Sequence, residues 1–198
     1  MISTYKLKPA FQKLLKPILK KLYSLGVTAN QITIAAILLS ILLGALFYYR
    51  ESNSIFLLLV SFGLLVRMGL NALDGMMARK YDMQSKLGEV LNELGDIVSD
   101  ICILLPFMSI GFMNKYLFSG FLVMVVVNEF SGIMGKVISD ERRYDGPMGK
   151  SDRALLIGVL CVVFYFWPKV YTMVNYIFVF ALLLIIISSF NRLKHSLK

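Results

Sequence analysis

The sequence NALDGMMARKYDMQSKLGEVLNELGDIVSD, residues 71–100, joins two apolar segments through a short polar stretch. An Asn and an Asp lie near the end of the first segment, and an Asn and two Asp lie near the start of the second. Polar and acidic side chains at membrane depth are costly, and they persist mainly where they bind a ligand or a partner. This stretch therefore predicts two membrane helices with a binding site between them.

The spacing of these residues places them on two helix faces. At about 100° per residue, the first group falls within an arc of roughly 100°, and the second forms a stripe of i, i+4 neighbours. The first group is Asn71, Asp74, Gly75 and Ala78, and the second is Gly88, Asn92, Asp96 and Asp100. Two helices facing each other along these stripes would gather the oxygen ligands that Mg²⁺ and Mn²⁺ prefer, beside small residues that leave room for a ligand.

The same residues resemble the signature of the CDP-alcohol phosphatidyltransferase family, D-x2-D-G-x2-A-R-x8-G-x3-D-x3-D. Every spacing is retained, and six of the eight fixed letters match. The two departures replace Asp by Asn, at Asn71 and Asn92, the first and third acidic positions. On this basis the chain is identified as a member of the family, with residues 71–100 as its catalytic motif.

The resemblance implies a set of site residues and a cofactor. It implies two divalent ions, Mg²⁺ or Mn²⁺, with Asp74 as a catalytic metal ligand and Asp96 as a ligand or the general base that activates the acceptor hydroxyl. The expected metal ligands are Asn71, Asp74, Asn92, Asp96 and Asp100. The expected nucleotide-binding residues are Asn71, Asp74, Gly75, Ala78, Arg79 and Gly88.

The two asparagines weaken the expected metal site. They reduce the charge of the four aligned positions to −2 from the −4 of the family pattern, and an amide oxygen binds Mg²⁺ more weakly than a carboxylate does. Three alternatives follow: the ions bind only together with the donor pyrophosphate, Asp100 compensates from one helical turn further along, or the chain is an inactive member. Glu93 lies on another face of the helix and is expected to pair with a neighbour rather than bind metal.

Two regions beyond the motif carry further candidates. The Gly149-Lys150 pair resembles a Gly-Lys element of the family, so Lys150 and Arg153 are expected to contact phosphate or the acceptor. Glu129 lies inside an apolar segment, where a lone carboxylate is usually functional. It is expected either to bind the acceptor alcohol or to pair with Arg67, and pairing is favoured.

Composition predicts an all-α integral membrane protein. Hydrophobic residues make up 58% of the 198 and charged residues 17%, against about 25% charged in soluble domains. Mean hydropathy is +0.72. A membrane span needs about 20 apolar residues, and six spans are predicted in a single domain of residues 1–198. Their ranges are 32–49, 54–76, 88–113, 116–134, 154–167 and 171–190.

The basic residues predict the orientation of these spans. With six spans, seventeen of the 21 Lys and Arg fall on the side that holds both termini and the motif. The positive-inside rule then places that side in the cytoplasm, at a membrane expected to be the bacterial inner membrane. The net charge of +9 is thereby explained by lipid headgroups, and nucleic acid is not an expected partner.

The first 24 residues predict a basic amphipathic helix at the membrane interface. They carry six lysines between apolar residues at helical spacing, and they lack the continuous apolar core of a signal peptide. Pro17 predicts a kink or a break in this helix. Cys102 and Cys161 are expected to be small core hydrophobes. The single histidine, His195, lies in the basic tail, which excludes a histidine zinc site and a Ser-His-Asp triad within the membrane.

Together these features predict a membrane enzyme that transfers a phosphatidyl group from a CDP-linked donor to a polar alcohol and releases CMP. CDP-diacylglycerol is the expected donor and the acceptor stays open. A homodimer is compatible with the resemblance. The alternatives are a non-catalytic family member and a transporter of ions or small solutes that uses its intramembrane carboxylates. Transporters usually place such groups near the midplane between repeated halves, and no second half of this sequence repeats the motif.

Overall fold

The computed structural model describes residues 8–198, with side chains from Phe11 onward, and this part of the chain is helical without any strand. The all-α prediction is therefore confirmed. Residues 1–7 of the predicted amphipathic segment lie outside the described residues. The seven α-helices are α1 Lys8–Ser24, α2 Ala29–Tyr48, α3 Ile55–Lys80, α4 Lys86–Leu104, α5 Lys115–Ser139, α6 Lys150–Phe166 and α7 Val174–Ser196.

Four helical segments are long and apolar enough to cross a membrane, so the chain is a membrane protein. These segments are Ala29–Glu51, Ile55–Lys80, Lys115–Ser139 and Pro168–Ser196. They contain α2, α3, α5 and α7. The other two predicted spans correspond to α4, which carries five charged residues, and α6, which has only 17 residues. The count of six spans therefore stays a prediction.

Two predicted boundaries differ from the structure. The third predicted span runs to residue 113, whereas α4 ends at Leu104 and a 3-10 segment, Leu105–Ser109, follows it. Pro106 lies in that segment, and a proline cannot donate the backbone hydrogen bond that would continue the α-helix. α6 begins at Lys150, four residues before the predicted start, because the amide of Gly149 is capped by the Asp152 carboxylate at 3.2 Å.

The bundle is built around close contacts between neighbouring helices. α2 packs against α3 and α4, α6 packs against α3, and α5 packs against α7. A Cβ at Gly44 would lie 2.2 Å from the backbone oxygen of Cys102, so α2 and α4 touch through their backbones at this point. At the same end of the bundle, Phe47 stacks on Phe107 with 4.1 Å between ring centroids. Phe118, Phe121 and Phe178 extend this aromatic cluster.

α1 packs on the other end of the bundle, beside the motif. Its residues Leu15 and Leu19 are buried in a small apolar cluster with Leu73 and Met77 of α3. The opposite face is open, since Leu14 and other apolar side chains remain exposed. α1 continues through Pro17 as one helix, so the expected break is not present. Its position at the membrane interface stays a prediction.

Candidate active site

The motif residues meet at a cavity of about 550 Å³ between the ends of three helices. α3 contributes its C-terminal turns, α4 its N-terminal turns and α2 its first turn. The start of α4 is fixed by Ser85, whose hydroxyl accepts a hydrogen bond from the Gly88 amide at 3.0 Å. The start of α2 is fixed by a capping box between Thr28 and Gln31. Because a turn of only five residues links α3 to α4, the two halves of the motif face each other.

Six of the residues predicted from the sequence line this cavity. They are Asp74, Gly75, Ala78, Arg79, Gly88 and Asn92. The spacing and the resemblance together therefore predicted six residues that the fold brings to one cavity. Five other predicted residues belong to the surrounding shell of polar contacts, and Asn71 is half-buried on α3 one turn before Asp74. The five are Asp96, Asp100, Glu129, Lys150 and Arg153.

Asp74 is held in a fixed orientation although it is only 4% exposed. One carboxylate oxygen accepts a hydrogen bond from the hydroxyl of Thr33 on α2 at 3.0 Å. The other accepts from the amide of Gly75 at 2.5 Å. Each oxygen keeps a further lone pair for a ligand. Asp74 is thus a buried carboxylate with its direction set by two donors and one edge turned to the cavity.

Two glycines of the motif make room for particular side chains. A Cβ at Gly88 would lie 2.6 Å from the side-chain oxygen of Asn30, so α4 approaches α2 closely there. A Cβ at Gly75 would lie 3.3 Å from the guanidinium of Arg79, one turn further along α3. Gly75 therefore lets this guanidinium fold back along the helix beside the cavity. Small residues at both positions shape the wall on which a ligand would lie.

Asp96 is bound by a lysine from the far side of the bundle. Both of its carboxylate oxygens lie 2.6 Å from the ammonium nitrogen of Lys150, the first residue of α6. The Asp96 side chain is 6% exposed and that of Lys150 is 27% exposed. One of the two carboxylates that the motif retains is thus paired with an ammonium.

Asp100 has arginine partners on both oxygens. Its Oδ1 accepts from Arg67 of α3 at 3.2 Å, and its Oδ2 accepts from Nε and Nη2 of Arg153 at 3.0 and 2.5 Å. Arg153 is itself buried, and its guanidinium also donates to the backbone oxygen of Met148 at 2.9 Å. Asp100 and Arg153 therefore lie in an internal ion network behind the cavity.

The prediction that Glu129 pairs with Arg67 is wrong. Glu129 accepts hydrogen bonds from Arg153 at 2.6 Å and from Arg142 at 2.9 Å. Arg67 of α3 instead donates to Asp100 of α4 at 3.2 Å. Sequence spacing carries no information about which of several buried ions meet across helices, so this choice was not accessible from the sequence.

Arg142 links this network to the surface of α4. Its Nη2 lies 2.8 Å from Glu93 Oε2, which agrees with the expectation that Glu93 pairs with a neighbour. Burial opposes the charge of this guanidinium, yet Tyr144 and the two carboxylates raise its pKa above the ordinary value. The network therefore runs from Arg67 inside the bundle to Glu93 at its rim.

The side chains near the cavity offer a small set of oxygen donors for a divalent ion. No group of three or more His, Cys, Asp or Glu side chains in the described part of the chain is placed to hold a metal. The oxygen donors that remain are the carboxylates of Asp74 and Asp96 and the amides of Asn71 and Asn92. The side-chain nitrogen of Asn71 is buried without a hydrogen-bond partner. Such an amide can turn its oxygen toward a bound cation.

Several residues at the cavity were not identified as site residues from the sequence. Asn30 and Thr33 of α2 line it, as do Ser85 and Lys86 before and at the start of α4. Lys136 of α5 also lines it and forms an ion pair with Glu89. The signal available was the Asn30 to Thr33 stretch, which begins the first apolar span with polar side chains one turn apart.

Comparison with known proteins identifies relatives along nearly the whole chain. A family model described as CDP-alcohol phosphatidyltransferase matches residues 26–193. The inner membrane protein YnbA of Escherichia coli (strain K12) is 40% identical over 193 residues, which cover 98% of this chain and 96% of that protein. Archaetidylinositol phosphate synthase of Pyrococcus horikoshii is 37% identical over 101 residues, 50% of each chain.

Solved structures share the fold at low sequence identity. The crystal structure of Mycobacterium tuberculosis phosphatidylinositol phosphate synthase with CDP-DAG bound superposes with a TM-score of 0.75 at 20% identity, covering 93% of this chain and 94% of that one. The same synthase in complex with manganese and citrate gives a TM-score of 0.74 at 21% identity, covering 92% and 88%. The arrangement of helices around the cavity is therefore shared with these proteins.

Proposed function

Since the chain belongs to the CDP-alcohol phosphatidyltransferase family, we propose that it transfers a phosphatidyl or similar substituted phosphate group from a CDP-linked donor to the hydroxyl of a polar alcohol and releases CMP. The proposed donor is CDP-diacylglycerol or a lipid of the same type. The product would be a phospholipid, which assigns the reaction to phospholipid biosynthesis. Membership in a family of transferases removes the support for the alternative that the chain is a transporter of ions or small solutes.

One observation carries this proposal: a single cavity gathers motif residues from both helices. Asp74, Gly75 and Arg79 of α3 face Gly88 and Asn92 of α4 across a volume of about 550 Å³. Small-molecule sites commonly have volumes of about 300–1,000 Å³, so the cavity is large enough for the nucleoside diphosphate part of a CDP-linked donor. The lipid part of a donor would lie beside the apolar helices, which begin at the same level.

The proposed reaction forms one P–O bond and breaks another. The acceptor oxygen attacks the phosphorus that carries the lipid alcohol, and the bond from that phosphorus to the bridging pyrophosphate oxygen breaks. CMP leaves with that electron pair. The hydroxyl proton passes to a carboxylate, for which the resemblance implies Asp96. Arg79 and Lys150 are the proposed phosphate contacts, because both cations reach the region of the two motif carboxylates.

A divalent ion, Mg²⁺ or Mn²⁺, is proposed to bind at Asp74, with the amide oxygens of Asn71 and Asn92 as neutral donors. When bound, it would neutralise charge on the pyrophosphate. The complex of the mycobacterial synthase with manganese supports a metal in this fold. Asp96 would face the same ion or hold the proton. We propose that Asp100 acts through the buried ion network rather than as a metal ligand, since its oxygens are engaged by arginines.

The proposed protein has six membrane spans, a cytoplasmic cavity and an interfacial α1. α4 and α6 would be the remaining two of six membrane spans. Their charged residues make them less apolar than the other spans, and their ion pairs neutralise most of that charge. Both termini and the cavity would face the cytoplasm, and the inner-membrane relative supports that location. α1 would lie in the interface with its exposed leucine and lysine side chains toward lipid headgroups.

The proposal is tested by nucleotide binding before any acceptor is known. Purified protein in lipid nanodiscs is heated with 1 mM Mn²⁺ and millimolar CMP or CDP, with AMP as the matched control nucleotide. A ligand that binds only the folded state at about 100 times its Kd stabilises by about 2.7 kcal/mol, so a clear rise in melting temperature is expected with the cytidine nucleotides. The rise should disappear when the metal is removed with EDTA.

The reaction itself is then followed as CMP release from CDP-diacylglycerol. Glycerol 3-phosphate, serine and inositol phosphate are supplied in turn as acceptors, and the lipid products are separated by chromatography. Metal-dependent CMP release with one of these alcohols is the expected result. A chain that binds CMP but releases none from any donor and acceptor would be a non-catalytic member, and one that binds neither nucleotide nor metal would contradict the proposed function.

A further inference from the structure

Lys150 forms an ion pair with Asp96, a carboxylate that the family resemblance assigns to metal binding or proton transfer. Its ammonium nitrogen lies 2.6 Å from both oxygens of Asp96, in the two-point contact with which a carboxylate can also hold a cation. A fixed positive charge thus lies next to Asp96 before any ligand is bound.

The charge of the site leaves room for one divalent ion beside this lysine. Asp74 and Asp96 supply −2, and Lys150 returns +1, because Asn71 and Asn92 are neutral. Asp100 adds nothing here, since Arg67 and Arg153 already bind its two oxygens. The side chains of Asp74, Asp96 and Lys150 sum to −1, so two divalent ions would leave +3 for the donor pyrophosphate to offset, whereas one ion would leave +1, and like charges at short range repel strongly in a buried site.

The amides of Asn71 and Asn92 and the ammonium of Lys150 change the charge of the site in the same direction. Where the family pattern has an acid, this chain has an amide at two positions, and an ammonium from α6 enters the same site. Asn92 precedes Asp96 by one helical turn, so a carboxylate at position 92 would lie beside the Asp96 and Lys150 pair. An amide at this position adds no charge that would call for a second metal ion.

We propose that this chain works with a single divalent ion, and that the Lys150 ammonium takes the place of the second cation. The ion belongs to the Asp74 side of the site, and Lys150 supplies positive charge on the Asp96 side, where it can donate hydrogen bonds to a substrate phosphate. This inference rests on the proposed function, because it assigns the cations of the same reaction.

The number of bound ions tests the inference without any measurement of activity. Purified protein in nanodiscs with saturating CMP is titrated with Mn²⁺, and free Mn²⁺ is measured from its electron paramagnetic resonance signal. The wild type is expected to bind one ion per chain. Asn92→Asp alone should also bind one, because Lys150 still holds Asp96.

The decisive variant combines Asn92→Asp with Lys150→Met. It gains a carboxylate and loses the ammonium, so its stoichiometry should rise from one ion to two. The matched control combines Asn92→Asp with Lys194→Met, which removes an exposed lysine that does not line the cavity, and it should stay at one. Lys150→Gln replaces Lys150→Met if the methionine variant does not fold, as judged by its melting curve.

The outcomes separate this inference from the proposed function. Two ions in the wild type, together with CMP binding, would overturn the role of Lys150 and leave the proposed function intact. The role of Lys150 would also be overturned if Asn92→Asp combined with Lys150→Met, or with its replacement Lys150→Gln, bound only one ion. Two ions bound by Asn92→Asp alone would overturn it as well. A wild type that binds no Mn²⁺ in the presence of CMP would overturn both.

Discussion

At the scale of single residues, the site is a set of buried charges with assigned partners. Asp74 is oriented by a hydroxyl and an amide, whereas Asp96 is bound by an ammonium. Neither group can move freely, and both lie within a few per cent of full burial. Carboxylates that are held in place before a substrate arrives lose little free energy in becoming ordered when it binds, which is the condition for efficient positioning.

The first prediction concerns these two acids. Asp74→Asn and Asp96→Asn should each lower CMP release by at least about 10²-fold, since each removes a charged oxygen ligand or a proton acceptor without changing side-chain size. Asp82→Asn is the control, because Asp82 is an exposed residue in the turn before α4 with φ of 51°, a conformation that Asn tolerates well. Normal turnover in Asp96→Asn would remove this residue as the base.

The second prediction concerns Asp100. Asp100→Asn leaves Arg67 and Arg153 buried without their shared counter-charge, so the free energy of unfolding should fall by about 3–5 kcal/mol. Thermal unfolding in detergent measures this loss. The number of Mn²⁺ ions bound with CMP should stay the same, because the carboxylate is committed to arginines. A loss of metal with unchanged stability would make Asp100 a ligand instead.

The sequence predicted the members of the site better than their contacts. Asp74, Gly75 and Gly88 were identified because helical spacing puts residues three and four apart on one face, whatever the surrounding fold, and Arg79 was identified from the family resemblance. The partners of Glu129 and Asp96 come from α6 and the loop before it, and no short-range pattern contains them. Contacts between residues 24 and 54 positions apart depend on how the helices pack, which one sequence does not reveal.

At the scale of helices, glycine decides how closely α2 and α4 approach. Gly44 lies against the backbone of α4, where even a methyl group would have to displace Cys102. That contact sets the distance between the two helices, and the same helices carry Thr33 and Asn92 at the cavity. Helix packing in membranes relies on such small residues because apolar side chains gain little by leaving lipid.

The third prediction compares two glycines. Gly44→Ala should lower the free energy of unfolding by about 1–3 kcal/mol, since overpacking a close helix contact forces the backbones apart. Gly120→Ala is the matched control: Gly120 is exposed on α5, and a Cβ there would meet nothing within 4 Å. It should be neutral or stabilise by up to about 1 kcal/mol. Equal effects in thermal unfolding would contradict the close contact.

Element boundaries were predicted less accurately than element type. The six apolar stretches all became helices, because their length and apolar content admit little else in a membrane. The end of α4 was misplaced by nine residues since the apolar run continues through Pro106 into the 3-10 segment. The start of α6 was placed too late because Lys150 and Arg153 look like loop charges, although both point inward.

At the scale of the whole molecule, polar and aromatic interactions occupy opposite ends of the bundle. The cavity and the ion network lie at the end formed by the start of α2 and α4, and the stacked phenylalanines lie at the other. Most Lys and Arg flank the cavity end. By the positive-inside rule, this asymmetry predicts that the cavity end faces the cytoplasm.

The fourth prediction is the orientation itself. In a background with Cys102→Ala and Cys161→Ala, a cysteine at position 198 should react with a membrane-impermeant maleimide only after the cytoplasmic side is exposed. A cysteine at position 115, the first residue of α5, should react from the outside of intact cells and serves as the matched control. Outside labelling at position 198 would reverse the topology and exclude an even number of spans with a cytoplasmic start.

The ion pairs between α4 and α6 have a consequence for how the protein enters the membrane. Asp96 and Asp100 of α4 find cations on residues that follow 54 and 53 positions later in the chain. At about 5–20 residues per second, Asp96 and Asp100 are synthesised roughly 3–11 s before Lys150 and Arg153. Arg67 is already present for Asp100, but Asp96 has no such partner on an earlier helix among the described residues. We therefore expect α4 to take its final depth in the membrane only after α6 has been made, since Asp96 lacks its counter-charge until then.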